Sequence, residues 1–381
     1  MVASNRITLR RLRYEDLVRK KALERPLMHH RHLYAVPLVG AVMIGTLSAC
    51  TSSVASDSVI TPEPIAAEAS GSVFSSSPID VQAHSGGRGE YTEGSEAAFI
   101  NALEVGVTTL EFVITLSKDG VPVVWNDARI FAEKCSDTAP VTPGDPQFPY
   151  VGKRIDTLTY AQVHTLDCSK PLADFPEAHH PQGSTILQLK DVFNLAKDAP
   201  YVRFNIEPRT EVDSDEATAL PQDYVAAILS EVESFDLSDR VAIQSSDWSV
   251  LPMVRASNRE VLTVAKYDAE TFTDGSPWLA GIQYSAVHGD PITAVVALGA
   301  DAIAPNFGGP LGVRRGDTGA RPETMAEYVD RAHEHNLLVI PWTVNDPATM
   351  VDLVNAGVDG IITDYPSRLA DVLNDQRISL S

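Results

Sequence analysis

The sequence is short of cysteine, of basic residues and of long apolar runs, and each shortage removes a class of function. Three cysteines in 381 residues, with no CxxC pair and no cluster of histidines, argue against a structural zinc site. Thirty Lys and Arg stand against 51 Asp and Glu, a formal charge of -21. Nine of the basic residues and only three acidic ones fall within residues 1–49, so the remainder, with 21 basic against 48 acidic, carries −27. A surface that negative repels nucleic-acid phosphates and excludes a DNA- or RNA-binding module. Small anionic substrates stay open, because a local cation can reverse the sign inside a pocket. A mean hydropathy of -0.06 excludes a multi-span membrane protein. No GxGxxG follows the first predicted strand; Gly86-Gly87-Arg88-Gly89 has a different spacing, which removes the dinucleotide-binding reading.

What is present begins with an address. Arg31, an apolar run from Leu33 to Leu47 and then Leu47-Ser48-Ala49-Cys50 give a basic, apolar and small-residue order, the layout of a secretory signal. The Leu-Ser-Ala-Cys ending resembles a bacterial lipobox, whose cysteine takes lipid; the alternative is a signal anchor with an incidental Cys50. Met28, just before the basic start, is an alternative first residue. Residues 1–49 are thus read as a signal region and residues 50–78, rich in Ser, Ala, Thr and Pro without periodicity, as a flexible tether. The expected location is the bacterial cell envelope, as a membrane-anchored lipoprotein, or the exterior. With Cys50 assigned to lipid, Cys135 and Cys168 remain as an even pair in an exported chain. A disulfide between them is expected and would stabilise by about 2–4 kcal/mol, with two free buried thiols as the alternative.

Residues 79–375 alternate short apolar strands with helical periods. Strands are predicted at 79–83, 108–116, 121–125, 202–206, 241–244, 261–264, 302–305, 337–341 and 360–363. Helices are predicted at 95–105, 221–233, 322–335 and 347–356. Repeated βα units with apolar strands imply a parallel sheet covered by helices, and about eight of them imply a closed α/β TIM (β/α)₈ barrel. Residues 130–200, richer in Pro and polar groups, read as an inserted excursion that carries both cysteines. Barrel chemistry sits where strands end. The predicted ends carry His84, Glu111, Asn126-Asp127, Glu207-Pro208-Arg209, Trp342 through Asp346, and Asp364. Two carboxylates and an imidazole converging on one mouth suggest a divalent metal with an acid–base group beside it.

These residues resemble the glycerophosphodiester phosphodiesterase family over roughly 79–373. Ala83-His84-Ser85-Gly86-Gly87 is similar to the family's opening His-Arg-Gly, and Thr92-Glu93-Gly94-Ser95 to its Pro-Glu-Asn-Thr. Thr109-Leu110-Glu111-Phe112-Val113 falls on its Leu-Glu-x-Asp strand, and Asn205-Ile206-Glu207-Pro208-Arg209 on Asn-Ile-Glu-x-Lys. Trp342-Thr343-Val344-Asn345-Asp346 and Gly357-Val358-Asp359-Gly360-Ile361-Ile362-Thr363-Asp364 resemble its C-terminal signature. The resemblance implies hydrolysis of a small-molecule glycerophosphodiester to glycerol 3-phosphate and an alcohol, as in lipid metabolism. It implies calcium or magnesium held by Glu111, Glu207 and a third carboxylate, with His84 and a second histidine as acid–base groups. It further implies Arg209 as the substrate-binding residue that faces phosphate; by their expected place at the mouth Glu93 is read as substrate-binding too, and Trp342 either walls the glycerol side or belongs to the barrel core.

The chain departs from that pattern at several positions. Val113 stands at the third ligand position and cannot coordinate a metal. Asn126 stands where the second histidine belongs and cannot shuttle a proton at neutral pH. Ser85, Gly94 and Arg209 replace the motif's Arg, Asn and Lys. Glu93 and Asp127 are expected near the same mouth and are the carboxylates that could compensate for Val113, and His288 is a conceivable proton donor. The second reading is a catalytically impaired relative that acts as an envelope phosphodiester-binding protein or scaffold.

Overall fold

The computed structural model describes residues 79–212, 219–307 and 323–379. The signal region, Cys50 and the tether lie outside the described residues. The described residues contain nine strands: β1 (Asp80–His84), β2 (Thr109–Leu116), β3 (Pro122–Val124), β4 (Arg203–Pro208), β5 (Val241–Ser245), β6 (Leu262–Tyr267), β7 (Ala302–Pro305), β8 (Leu338–Val339) and β9 (Gly360–Thr363). All but β3 pair in parallel, in the order β8-β7-β6-β5-β4-β2-β1-β9. The ring closes through backbone hydrogen bonds in which Asp359 N donates to Val339 O (2.9 Å), Ile362 N to Pro341 O (3.0 Å) and Val344 N to Ile362 O (2.9 Å). The fold is therefore the expected TIM barrel.

One expectation about the strands needs correcting. The sequence pattern makes residues 121–125 a barrel strand ending at Asn126-Asp127. Instead β3 runs antiparallel to β2, with Ile114 opposite Val124 and Leu116 opposite Pro122. The reason is length. Ser117 to Val121 forms a tight turn, with Val121 O accepting from Ser117 N (3.0 Å), whereas a parallel crossover needs a dozen residues or more. Asn126 thus sits at the base of a hairpin arm and not at the end of a barrel strand.

Strand alternation sorts the side chains into two sets. Val81, Ala83, Leu110, Phe112, Ile114, Phe204, Ile206, Ile243, Ile303 and Ile361 join the core between barrel and helices. The alternate residues face the barrel axis. Val264, Ala302, Ala304, Leu338, Ile340 and Ile362 form an apolar inner plug with the half-buried Trp342 against it. Beside that plug the axis is polar: Asn205 Nδ2 donates to Gln82 Oε1 (2.8 Å) and to Gln244 Oε1 (2.9 Å).

The helices of the described residues are α1 (Glu96–Val105), α2 (Tyr160–Val163), α3 (Leu189–Leu195), α4 (Pro221–Ser234), α5 (Val250–Ser257), α6 (Pro291–Leu298), α7 (Met325–Glu334), α8 (Pro347–Ala356) and α9 (Pro366–Ser379). Local signals set their ends. Ser95 caps α1 by accepting from Ala98 N, and Gly106 ends it at φ 84°. Asp346 caps α8, Pro347 opens it, and Gly357 ends it at φ 94°. Between β3 and α3 the excursion folds around its own small core, including Trp125, Ile130, Tyr150, Ile155, Leu158 and Leu166. Cys135 and Cys168 form a disulfide inside it. The excursion also holds the loop after β1: His179 N donates to Glu90 O (2.7 Å) and Thr92 N to His179 O (2.9 Å).

Candidate active site

Strand register brings the predicted residues to one rim. His84 is the partner of Glu111 across β1 and β2, and Val113 is the partner of Glu207 across β2 and β4. All four share the inward parity, because each is an even number of residues from another axis-facing position on its strand. After His84 the chain must turn sharply, and Gly86 permits this at φ 77°; a Cβ there would lie 2.9 Å from the Ala98 Cβ.

His84 is held by Asp364, whose carboxylate gathers three side chains. His84 Nδ1 lies 2.7 Å from Asp364 Oδ1, Arg88 Nε donates to the same oxygen (2.8 Å), and Asn345 Nδ2 donates to Oδ2 (2.7 Å). Burial opposes ionisation of Asp364, yet the hydrogen bond and charge of His84, the Arg88 guanidinium and the Asn345 amide bring its carboxyl down to about 2. An ionised Asp364 accepts the Nδ1 proton, which leaves Nε2 on the side of the ring that faces Glu111. That nitrogen is 3.8 Å from Glu111 Oε2.

The depressed Asp364 acidity carries a stability consequence. A carboxyl with a lowered folded-state pKa stabilises the fold above its unfolded value and loses that contribution as pH falls through the folded one. The native chain should lose about 2 kcal/mol from this group between about pH 4 and pH 2. Urea unfolding at a series of pH values tests this: Asp364→Asn should flatten that part of the acid limb, and an unchanged limb would contradict it.

The two predicted metal carboxylates are present but engaged. Glu111 is fully buried, and Gln244 Nε2 donates to its Oε1 (2.5 Å) and to Glu207 Oε2 (3.2 Å). Lys266 Nζ donates to Glu207 Oε2 at 2.7 Å and lies 4.0 Å from the centre of the Trp342 ring. Trp342 is pinned by its Nε1 donating to Ala304 O (2.8 Å). Burial raises the Glu111 carboxyl above its ordinary range, against the pull of His84, Lys266 and Arg88. Glu111 Oε2 has no hydrogen-bond partner among the described residues.

Does this set fit a divalent ion? Calcium takes six to eight oxygens, and magnesium demands near-octahedral geometry. Here Glu111 Oε2 has no hydrogen-bond partner among the described residues, Glu207 Oε2 is covered by an ammonium, and the third position is the buried Val113. Among the described residues no group of three His, Cys, Asp or Glu is arranged to hold a metal. Glu93 and Asp127 do not fill the gap. Lys134 ties both together, with Asp127 Oδ2 at 2.6 Å, and Arg88 lies 3.8 Å from Glu93. The residues present do not fit a divalent ion without displacing Lys266.

The remaining predicted residues are placed as follows. Asn126 lines a small pocket with Val113, Ser85, Gly94 and Glu93, so four of the five departures from the family pattern are neighbours. Arg209 follows β4, 3.6 Å from Glu211, and lines a cleft of ≈ 250 Å³ with Arg129, Arg154 and Phe131. Its Nε is buried without a partner among the described residues. His288 is exposed in the turn before α6. Sequence reasoning misses Arg88, Gln244 and Lys266 as site residues, and it gives Asn345 no role of its own. Arg88 has no motif position to mark it. Gln244 and Lys266 do leave a signal: each is a polar residue at the inward parity of a largely apolar strand.

The C-terminal rim of this parallel (β/α)₈ barrel thus gathers an Asp-oriented histidine, two carboxylates and two cations. The chain belongs to the glycerophosphoryl diester phosphodiesterase family, whose model matches residues 84–368. A glycerophosphodiester phosphodiesterase of Bacillus altitudinis is 23% identical over 295 residues, covering 77% of this chain and 98% of the relative. A solved structure from Silicibacter pomeroyi with the same family designation superposes with TM-score 0.64 at 25% identity, over 78% of this chain and 94% of that one. An Oleispira antarctica phosphodiesterase, solved with the product sn-glycerol-3-phosphate, shares the fold with TM-score 0.54 at 18% identity, over 77% and 96% of the two chains.

Proposed function

We propose that this chain hydrolyses glycerophosphodiesters to glycerol 3-phosphate and an alcohol, and that it does so slowly. The observation that carries this reading is the His84–Asp364 pair, in which Nδ1 sits 2.7 Å from the carboxylate and Nε2 lies 3.8 Å from Glu111 Oε2. An imidazole so oriented takes a proton from the attacking oxygen or attacks phosphorus itself. The cationic groups nearby, Lys266 and Arg88, suit a phosphodiester anion. Asn126 can hydrogen-bond to the leaving oxygen but supplies no proton. The alkoxide is then protonated from solvent, at a cost of about 10²–10⁴ in rate compared with a positioned acid. The test is release of glycerol 3-phosphate from glycerophosphocholine, glycerophosphoethanolamine and glycerophosphoglycerol by the full chain. No release from any of them, with glycerol 3-phosphate still bound, would favour the phosphodiester-binding alternative.

The envelope setting belongs to the same proposal, with breakdown products of membrane lipids as the natural substrate pool. The support is the Leu47-Ser48-Ala49-Cys50 ending of an apolar run, followed by the Ser- and Pro-rich stretch. Cys50→Ala should move the protein from the membrane fraction to the soluble one; retention in the membrane fraction would point to a signal anchor.

A further inference from the structure

We propose that Lys266 is the resident cation of this site: its ammonium holds the face of Glu207 that a divalent ion would need, and it binds the substrate phosphate without a metal. The inference rests on the phosphodiester reading above and deepens it.

Three observations carry it. The first is position. Lys266 lies on the inward parity of β6 with Leu262 and Val264, and its Nζ sits 2.7 Å from Glu207 Oε2, a geometry that neutralises the carboxylate. The second is rigidity. The ammonium is 4.0 Å from the Trp342 ring centre, and that ring is fixed by its own bond to Ala304 O, so the charge is held in place by a carboxylate on one side and a ring face on the other. Lys266 and Glu207 are both largely buried, at 13% and 14% side-chain exposure, which limits screening by solvent. The third is the donor set. Val113 opposite Glu207 removes one ligand, and Gln244 spends its amide hydrogens on Glu111 Oε1 and Glu207 Oε2, so protein donors already occupy one oxygen of each carboxylate.

Charge follows from these contacts. Glu111, Glu207 and Asp364 face Lys266 and Arg88, and His84 stands among them. A divalent ion would bring two positive charges from solution; here one ammonium is covalently part of the barrel wall and needs no loading. An ammonium is a compact point charge with three donors, able to keep one bond to Glu207 and give another to a phosphate oxygen.

The experiment is calorimetric binding of sn-glycerol 3-phosphate to the native full chain, in EDTA and then in calcium or magnesium. The dissociation constant should change less than about twofold between the two conditions. Lys266→Met should weaken binding by about tenfold or more, while Lys266→Arg keeps most of it. With Glu207 uncovered, Lys266→Met should also gain calcium binding that the native chain does not show. Binding that requires calcium or magnesium in the native chain overturns the inference and leaves the phosphodiester reading standing. Absence of binding under every condition overturns both. If Lys266→Met does not fold, the native comparison alone decides, because it involves no variant.

Discussion

Replacing His84 by alanine abolishes glycerophosphodiester turnover, with an expected loss of about 10³-fold or more against whatever rate the native chain shows. The geometry makes this the most damaging single change at the rim. His84 is the imidazole whose ring is oriented by an ionised carboxylate there, and Asn126 offers no second proton carrier. The loss should fall on the rate and not on the fold. Asp364 keeps the Arg88 and Asn345 hydrogen bonds after the ring is removed, so its charge is not stranded. Lost stability should stay within about 1.5–3 kcal/mol, the range for one charged hydrogen bond. Initial rates and thermal unfolding on the same preparation check both halves. Retained turnover would remove His84 from the chemistry, and an unfolded variant would leave the rate comparison to His84→Gln.

Restoring the missing ligand and the missing imidazole together, Val113→Asp with Asn126→His, is the second large effect. Both positions line one small pocket beside Glu93 and Ser85, so the new groups would face the same volume. Turnover should rise by about 10²-fold, the contribution of one positioned acid, and become dependent on added calcium or magnesium. The carboxylate introduced at position 113 would be buried beside Glu207, which raises the demand for a cation. Lys266 would then compete with the metal for Glu207, so adding Lys266→Met to the pair should tighten metal binding further. Rates measured with EDTA and with each ion decide this. A double variant that gains neither rate nor ion dependence would mean that positions 113 and 126 do not face the reacting phosphate.

Much of the fold is legible along the chain. The strands 302–305 and 360–363 are apolar runs flanked by polar residues, and the structure places them where the sequence pattern does. The helix 347–356 is bounded by an Asp cap, a Pro and a Gly, and its limits coincide with those signals. The β3 segment misleads because an apolar five-residue run has the same appearance in a parallel or an antiparallel pair. Only the short turn before it discriminates. Lys266 escapes notice for a different reason. A lysine at a strand end has a strong prior for pointing to solvent, and inward parity becomes meaningful once the neighbouring strands are known.

The sequence by itself determined the barrel and singled out Glu111, Glu207 and His84 as candidates at its strand ends, because periodicity, caps and motif residues are local and survive without coordinates. The tertiary structure alone decided that Asp364 orients His84 from 280 positions away, that Gln244 couples Glu111 to Glu207, and that Lys266 covers the carboxylate. Such contacts join different βα units, and no spacing along the chain encodes which strand ends meet across a closed ring; the order of strands and the stagger of their register do.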